Sequence, residues 1–326
     1  MAFRLRLVPA DTRIDFYGRA HLGLIGSSVA VVAAILLVAL MGLNFGIDFR
    51  GGTTIRTISP DTVETGAYRS AIEALELGEV TVTEVFDPTF GPDENVAQIR
   101  IQAQAGAESV TSDTMDEVRA ALTRVDPELS IEAIESVGPK VSGELIRSAA
   151  IAVLTAAAAI MVYIWLRFEW QFALGAVAAL VHDVTLTLGL FALLQLRFDL
   201  SIIAALLTIL GYSINDTVVI FDRVRENLRK YKKMVLTDLM NLSINETLAR
   251  TVMTSGTTLL ALITMLILGG DVIRGFVFAM TWGVIVGTYS SVFVAGEVLR
   301  MLGVKRDWSK EGEAGKAGTQ FTAPDG

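Results

Sequence analysis

The chain has 326 residues, of which 52% are hydrophobic and only 19% charged, with a mean hydropathy of +0.53 and a formal charge of −8. That balance excludes an ordinary soluble globular protein and argues against a nucleic-acid partner, because no basic surface stands free of the apolar runs. There is no cysteine, so any domain outside a membrane depends on its own core rather than on disulfides.

Residues 1–19 carry Arg4, Arg6, Arg13 and Arg19. They precede an apolar run over 20–43, close to the ~20 residues needed to cross the hydrocarbon core. This run is too long for a cleaved signal peptide, and the following Asn44-Phe45-Gly46-Ile47-Asp48 offers no small-residue cleavage site. Residues 44–142 are acidic, with 18 acidic and 7 basic side chains. They read as a translocated, periplasmic domain of about 100 residues, enough for one small core. Its pattern is strand 53–59, helix 63–75 after Asp61 and Thr62 as caps, strand 79–86, strand 96–103, helix 109–125 and strand 130–137. Asp87-Pro88 and Gly91-Pro92 mark the hairpin turn between the middle strands. The order β-α-β-β-α-β predicts a small α+β ferredoxin-like domain.

Five more apolar runs follow, over 145–166, 170–194, 200–221, 251–268 and 275–299, so the fold class is a polytopic α-helical membrane protein of six transmembrane helices. Arg167-Phe168-Glu169 is a tight turn, and 195–199 and 269–273 are short turns on the other side. Residues 222–250 form the long connection before the fifth span. Within it, Ser243-Ile244-Asn245-Glu246 has the form of a capping box that would start the fifth helix. The basic residues before span one, after span four (Arg223, Arg225, Arg229, Lys230, Lys232, Lys233) and after span six (Lys305, Arg306, Lys310) all fall on one side. Both termini are therefore expected in the cytoplasm. The run 222–233 is read either as this topology signal alone or as a docking place for a partner or anionic lipid. The tail 300–326 turns rich in Gly, Ala, Lys and Glu after Trp308 and is expected to be disordered.

Polar residues inside the spans carry the chemistry. A carboxylate in a spanning helix costs roughly 2.5 kcal/mol or more and often marks an ion or proton path. Asp216 lies in Gly211-Tyr212-Ser213-Ile214-Asn215-Asp216-Thr217, where Ser213, Asp216 and Thr217 share a helix face. Arg250, at the start of span five, falls at similar depth, and an Asp–Arg pair there suits a proton switch; a static ion pair or a snorkelling arginine is the alternative. His182 and Asp183 stand mid-way along span three, either on the same path or as packing anchors. With only His21 besides His182, no histidine metal site is expected, and no cofactor motif is present. Gly46-Ile47-Asp48-Phe49-Arg50-Gly51-Gly52 forms an elbow between span one and the first strand, with Asp48 and Arg50 as polar anchors and Gly46, Asp48, Phe49, Gly51 and Gly52 as the junction motif, a turn or a hinge. Small residues at 283 and 287, and at 156 to 159, predict close helix packing. No nucleophile–base pattern points to an enzyme.

These residues resemble the SecF family of the SecD–SecF protein-export membrane complex, within the resistance–nodulation–division superfamily. The six-span layout with a domain after span one matches. So do the element at 46–52, His182-Asp183, the stretch at 211–227 and Thr247-Leu248-Ala249-Arg250-Thr251, in order and spacing. The resemblance implies a bacterial cytoplasmic (inner) membrane location and pairing with SecD as one half of a twelve-span unit, work with SecYEG and YajC on a translocating polypeptide after the ATP-driven stage of export, and use of the proton motive force. It places the proton path at Asp216 and Arg250, with Asp183 a further candidate. One half alone would leave Asp216 at an exposed helix face. Half of a proton-driven small-molecule or lipid exporter, or a passive translocon scaffold, are the rival readings.

Overall fold

Apolar segments in lipid can satisfy their backbone only within a helix or a closed barrel, and this chain takes the helical solution. A computed structural model describes residues 12–85, 87, 90–91, 94–102 and 111–304. The predicted disordered tail after Trp308, the basic residues at 4, 6, 305, 306 and 310, and part of the predicted hairpin turn lie outside the described residues. Among the described residues, six helices are long and apolar enough to cross a membrane.

In chain order, α1 (Ala20–Met41) is followed by a short strand β1 (Asn44–Phe45) and one helical turn, α2 (Ile47–Arg50). Then come β2 (Gly52–Ser59), α3 (Thr65–Glu73), β3 (Val80–Val85), β4 (Asn95–Gln102), α4 (Ser112–Val125) and β5 (Ser130–Val137). The chain returns through α5 (Pro139–Arg167), α6 (Trp170–Leu194), β6 (Arg197–Phe198), α7 (Leu200–Lys230) and α8 (Leu236–Leu268). The last span is α9 (Asp271–Ser290), one π-helical turn at Ser291–Ala295, and α10 (Gly296–Leu302).

The four strands β2–β5 form one antiparallel sheet in the order β3-β4-β2-β5. Each helix of this domain follows a strand and returns the chain to a strand two places away, so α3 and α4 cover one face. Ile55, Tyr68, Ile72, Val82, Ile99, Ile101, Val118 and Leu122 fill the space between sheet and helices. The caps expected at Asp61 and Thr62 do not form: α3 starts after Glu64 with no side-chain cap, whereas α4 is capped by Thr111 accepting from the Thr114 amide.

The fifth helix begins a full two turns before the expected capping box. α8 starts at Leu236, and only Tyr231–Val235 separates it from α7, so the segment 222–250 is mostly helix. The four box residues serve tertiary contacts instead. Ser243 Oγ donates to the Leu239 carbonyl and accepts from Asn227 Nδ2, and Glu246 accepts from Asn227 and from Arg223 at 2.7 Å. Asn245, with Asn241 one turn earlier, pairs with the backbone of residues 14–17 and holds the N-terminal segment along α8. Of the small-residue pairs, Gly283 and Gly287 do meet a neighbour: a β-carbon at 283 would collide with Ile209, and one at 287 would stand 3.1 Å from the Ser213 β-carbon, both on α7. Of the predicted small residues on α5, Ala156 is half-buried and Ala159 is exposed.

The elbow is clamped to the helical body. β1 pairs in parallel with β6, the Gly46 amide donates to the Phe198 carbonyl at 2.8 Å, and Phe45, Phe49, Phe191 and Phe198 form one aromatic cluster. Asp48 accepts from the Leu200 amide at 3.0 Å, so it helps satisfy the N-terminus of α7 beside the cap residue Asp199. The backbone takes glycine-only conformations on both sides of this clamp, at Gly42 before it (φ 69°, ψ 177°) and beyond α2. Gly51 has φ 73° and ψ 161°, a region open essentially to glycine alone, and Gly52 follows at φ 135°. We therefore expect Gly51→Ala to cost about 1–3 kcal/mol in local strain and to displace the sheet domain while α2 stays docked. A changed label-to-label distance between the domain and α6, with α2 contacts intact, is the expected readout; an unchanged distance and stability would contradict it.

Within the domain, Asp126 is 7% exposed and accepts from the Tyr68 hydroxyl at 2.7 Å and the Glu128 amide at 3.1 Å. Burial pushes its pKa up, but the bonds from Ser59, Tyr68 and the amides of Glu128 and Leu129 outweigh that and hold it below the usual carboxylate range. Its folded pKa thus lies below an unfolded value of about 3.9. The contribution is complete above about pH 4 and disappears as pH falls through the folded value. Hydrogen exchange at the Ile99 and Ile101 amides should accelerate below about pH 4 more steeply in the native chain than in Asp126→Asn. Equal slopes would show that Asp126 carries none of this acid sensitivity.

Candidate functional site

The polar residues of the spans converge between α6, α7, α8 and α9, where they form two carboxylate sites of opposite character. Asp183, near the middle of α6, is fully buried. Its Oδ2 accepts from Ser213 Oγ of α7 at 2.6 Å and from Ser290 Oγ of α9 at 2.9 Å, while Oδ1 meets His182 Nδ1 at 3.0 Å. With the carboxylate as the acceptor in that bond, the proton is on Nδ1 of His182. Its other ring nitrogen has no hydrogen-bond partner among the described residues, and the ring lies against Tyr289, centroids 6.2 Å apart. Tyr289 in turn donates to the Gly23 carbonyl and accepts from Ser27, both on α1.

Asp216, on α7, is also buried, at 3% exposure, and this within the single chain. The expected exposed position is therefore wrong: α8 and α9 already cover it. Its one hydrogen bond among the described residues comes from Ser255 Oγ of α8, at 3.5 Å, a distance at which such a bond is weak. Ser255 is shared with Thr288 of α9 at 2.7 Å. The two carboxylates thus share α7 and α9, but one has three good partners and the other a single poor one.

The expected Asp216–Arg250 ion pair is not formed. Arg250 is exposed and makes no ion pair or hydrogen bond to Asp216, although it stands near enough for its charge to act on the carboxylate. Helix geometry gives the reason. Ser255, the residue of α8 that faces Asp216, is five positions after Arg250, which places the two side chains about 140° apart around the helix and ~7.5 Å apart along it. Arg250 accordingly lies on the outer face of α8.

Sequence reasoning singled out Ser213 and Asp183 without joining them, and it passed over Ser255, Thr288 and Ser290. The signal was present: hydroxyl residues recur at 251, 254, 255, 257 and 258 and at 288, 290 and 291 in runs otherwise apolar. The π turn at Ser291–Ala295 gave none. It begins next to Ser290, and the Tyr17 hydroxyl donates to the Val292 carbonyl there at 3.1 Å; such turns are frequent at functional places in helices. A second unforeseen buried acid, Glu297 in α10, is paired with Arg300 at 2.5 Å. Among the described residues no cluster of metal-ligating side chains occurs.

The family model described as "Protein export membrane protein SecD/SecF, C-terminal" matches residues 117–305, and the "SecD/SecF GG Motif" matches residues 37–57. The protein translocase subunit SecF of Cereibacter sphaeroides is 60% identical over 98% of this chain and 98% of its own length. This chain belongs to the SecF family. The SecF subunit of Rhodobacter capsulatus is similar at 58% identity over 99% of this chain and all of its own. Among solved structures, SecDF of Thermus thermophilus, a translocon-associated membrane protein, matches with a TM-score of 0.78 at 36% identity, covering 90% of this chain. SecDF in its super-membrane-facing form matches at 0.66 with the same 36% identity. The chain spans 39% and 40% of those two chains. The SecF family works in protein translocation, and this chain is a multi-pass membrane protein of it, with Asp183, Asp216 and Arg250 within the matched residues 117–305 and the elbow within 37–57.

The satisfied state of Asp183 makes it a structural keystone in this conformation. Interhelical hydrogen bonds in membranes average about 0.6 kcal/mol, with a maximum near 1.7. Ser213→Ala removes the shortest of them and leaves a buried carboxylate short of a donor. It should lower the stability of the helical body by about 1–2 kcal/mol, read as a lower midpoint in SDS-induced unfolding; Ser255→Ala should change the midpoint less. The reverse order would contradict the assignment of Asp183 as the tighter node.

Proposed function

We propose that this chain is the smaller half of a twelve-helix unit completed by SecD, and that Asp216 gains and loses a proton as the unit couples the proton motive force to protein export. The location is the bacterial cytoplasmic (inner) membrane, with both termini in the cytoplasm and the ferredoxin-like domain outside. The sheet order β3-β4-β2-β5 with its helices on one face supports that domain reading. The unit acts beside SecYEG, with YajC in the larger assembly, on the translocating polypeptide. The observation that carries the reading is the unequal treatment of two buried acids. A carboxylate closed off by three donors has little freedom, whereas one bonded at 3.5 Å to a shared serine can change its proton without breaking the fold.

The need for a partner rests on what the chain leaves open. Ala204, Thr208, Gly211 and Asn215 form one exposed stripe along α7, and Arg250, Met253, Gly256 and Thr257 are exposed on α8. Small and polar residues on a spanning face suit another helix rather than lipid. A SecD helix seated there would cover Arg250 and Asn215 and enclose the approach to Asp216. When Asp216 is ionised, its charge draws on Arg250; when it is protonated, it donates to Ser255 instead, and α8 is released from that pull. Proton flow does work only because the two arrangements differ in this way. Asp183 belongs to the same polar region and is proposed as the anchor that keeps α7 in register while α8 moves.

Asp216→Asn preserves shape and the bond to Ser255 but cannot cycle a proton. In vesicles carrying the assembled complex it should keep ATP-driven translocation and lose the stimulation by a proton gradient. Undiminished stimulation would eliminate the proton relay and favour a passive scaffold. Gradient-driven efflux of a small molecule, with no effect on polypeptide export, would favour the exporter reading.

A further inference from the structure

The sheet domain meets the helical body at two places that lie far apart. One is the elbow, where the Gly46 amide donates to the Phe198 carbonyl and the Leu200 amide to Asp48. From there β2 runs outward through eight residues, about 26 Å at 3.3 Å per residue. β3 lies two strands away and runs the same way, with Val80 level with Thr53 and Val85 level with Ile58. Asp87, just past β3, therefore stands at the end of the sheet remote from the elbow. It touches the helical body there. Asp87 is 8% exposed, and a β-carbon on Gly270, the residue before α9, would stand 2.7 Å from its Oδ2.

Between these two places the sheet does not close on the helices. A cavity of about 620 Å³ extends from Asp48 at the elbow to Val272 beside Gly270, with Thr54 and Gln98 of the sheet on one side and Asp199 and Phe278 of the helical body on the other. The domain thus bridges the helix ends, attached at each end and open beneath its middle.

The two attachments differ in kind. The elbow is held by backbone bonds and the Phe45–Phe49–Phe198 cluster, and the glycines of positive φ follow it. At the other end a carboxylate faces the start of a 20-residue helix, where negative charge is favoured. That attraction depends on one side chain and can be given up without unfolding either part. Gly270 has φ −70° and ψ 169°, extended backbone that any residue adopts, so the turn itself does not require glycine. The missing side chain leaves room for Asp87. The seat also belongs to the turn that joins α8, with Ser255 opposite Asp216, to α9, with Thr288 bonded to that serine.

We propose that Asp87 is a latch: seated against Gly270 it holds the far end of the domain down, and when it leaves the seat the sheet turns about Gly51 and Gly52. A proton gradient shifts the balance between the two states; that part rests on the proton reading of Asp216, whereas the latch does not.

The chain has no cysteine, so Glu84→Cys on β3 and Ile267→Cys on α8, both exposed, can carry a single pair of spin labels. Distances are measured in the full chain with its native partner, itself cleared of cysteine, in vesicles. Without a gradient one short distance should dominate, and a gradient should raise a longer one. Asp87→Asn, which removes the charge, and Gly270→Ala, which places a methyl group on the seat, should each raise the longer population about fivefold or more without a gradient. Asp61→Asn, an exposed acid at the same end of the sheet, should leave the distribution unchanged. A single distance that neither seat variant alters, or an equal effect of Asp61→Asn, would overturn the latch. Shifts in both seat variants with no response of the native chain to a gradient would uphold the latch and remove its coupling to protons. Amide exchange at Ile99 and Ile101 should stay unchanged in the seat variants; faster exchange would mean that Asp87 serves the fold of the domain, and would also overturn the proposal.

Discussion

Asp183 is fully buried within this chain, so its oxygens have to be met by protein groups, and these come from three different helices. Ser213 of α7 and Ser290 of α9 share one oxygen, and His182 of α6 serves the other. The cost of an unmet buried charge fixes the register of these helices more strongly than the small net gain of each bond suggests. Other features follow from this one. Ser213 and Ser290 can both reach Asp183 only because α7 and α9 approach closely, and the approach is made by the missing side chains at Gly283 and Gly287. His182 in turn orients Tyr289, which ties α1 to the same core. The helical body is thus organised around one fully satisfied acid.

Against that fixed frame, α8 is the looser element at the membrane centre. It meets Asp216 through one long bond from Ser255, and its outer face with Arg250 is open. Near its start Glu246 and Ser243 join Arg223 and Asn227 of α7, and Asn241 and Asn245 hold the N-terminal segment; farther along, Ser255 pairs with Thr288 of α9 at 2.7 Å and Leu262 packs into the core. The path to the sheet domain is also physical. α7 carries Asp216 and begins at Leu200, whose amide is bonded to Asp48; α2 follows, and then the two glycines of positive φ.

The sequence showed the spans because length and hydropathy alone decide whether a segment crosses lipid, and it showed the domain's strand and helix order because its apolar periods alternate cleanly. It also placed Asp183, Asp216 and the elbow glycines. What it could not show was pairing across helices. Whether Asp183 or Asp216 is the satisfied acid depends on which serine of another helix arrives opposite, and no period in one segment encodes that. Arg250 was matched to Asp216 on depth alone, which ignores the 140° rotation that turns it outward. The capping-box pattern at 243–246 misled because Ser, Asn and Glu at those spacings serve equally well for contacts with α7 and with residues 14–17. The π turn beside Ser290 left no trace, since its five residues are ordinary helix formers or packers.

The central claim is that Asp216, and not Asp183, changes its proton during the cycle. Isotope-edited infrared difference spectroscopy of aspartate carboxyls, on the assembled complex in vesicles with and without a proton gradient, addresses it directly. The account predicts one carboxylic-acid band that responds to the gradient and is missing in Asp216→Asn. A gradient-sensitive band that persists in that variant, or the absence of any such band in the native complex, would contradict it.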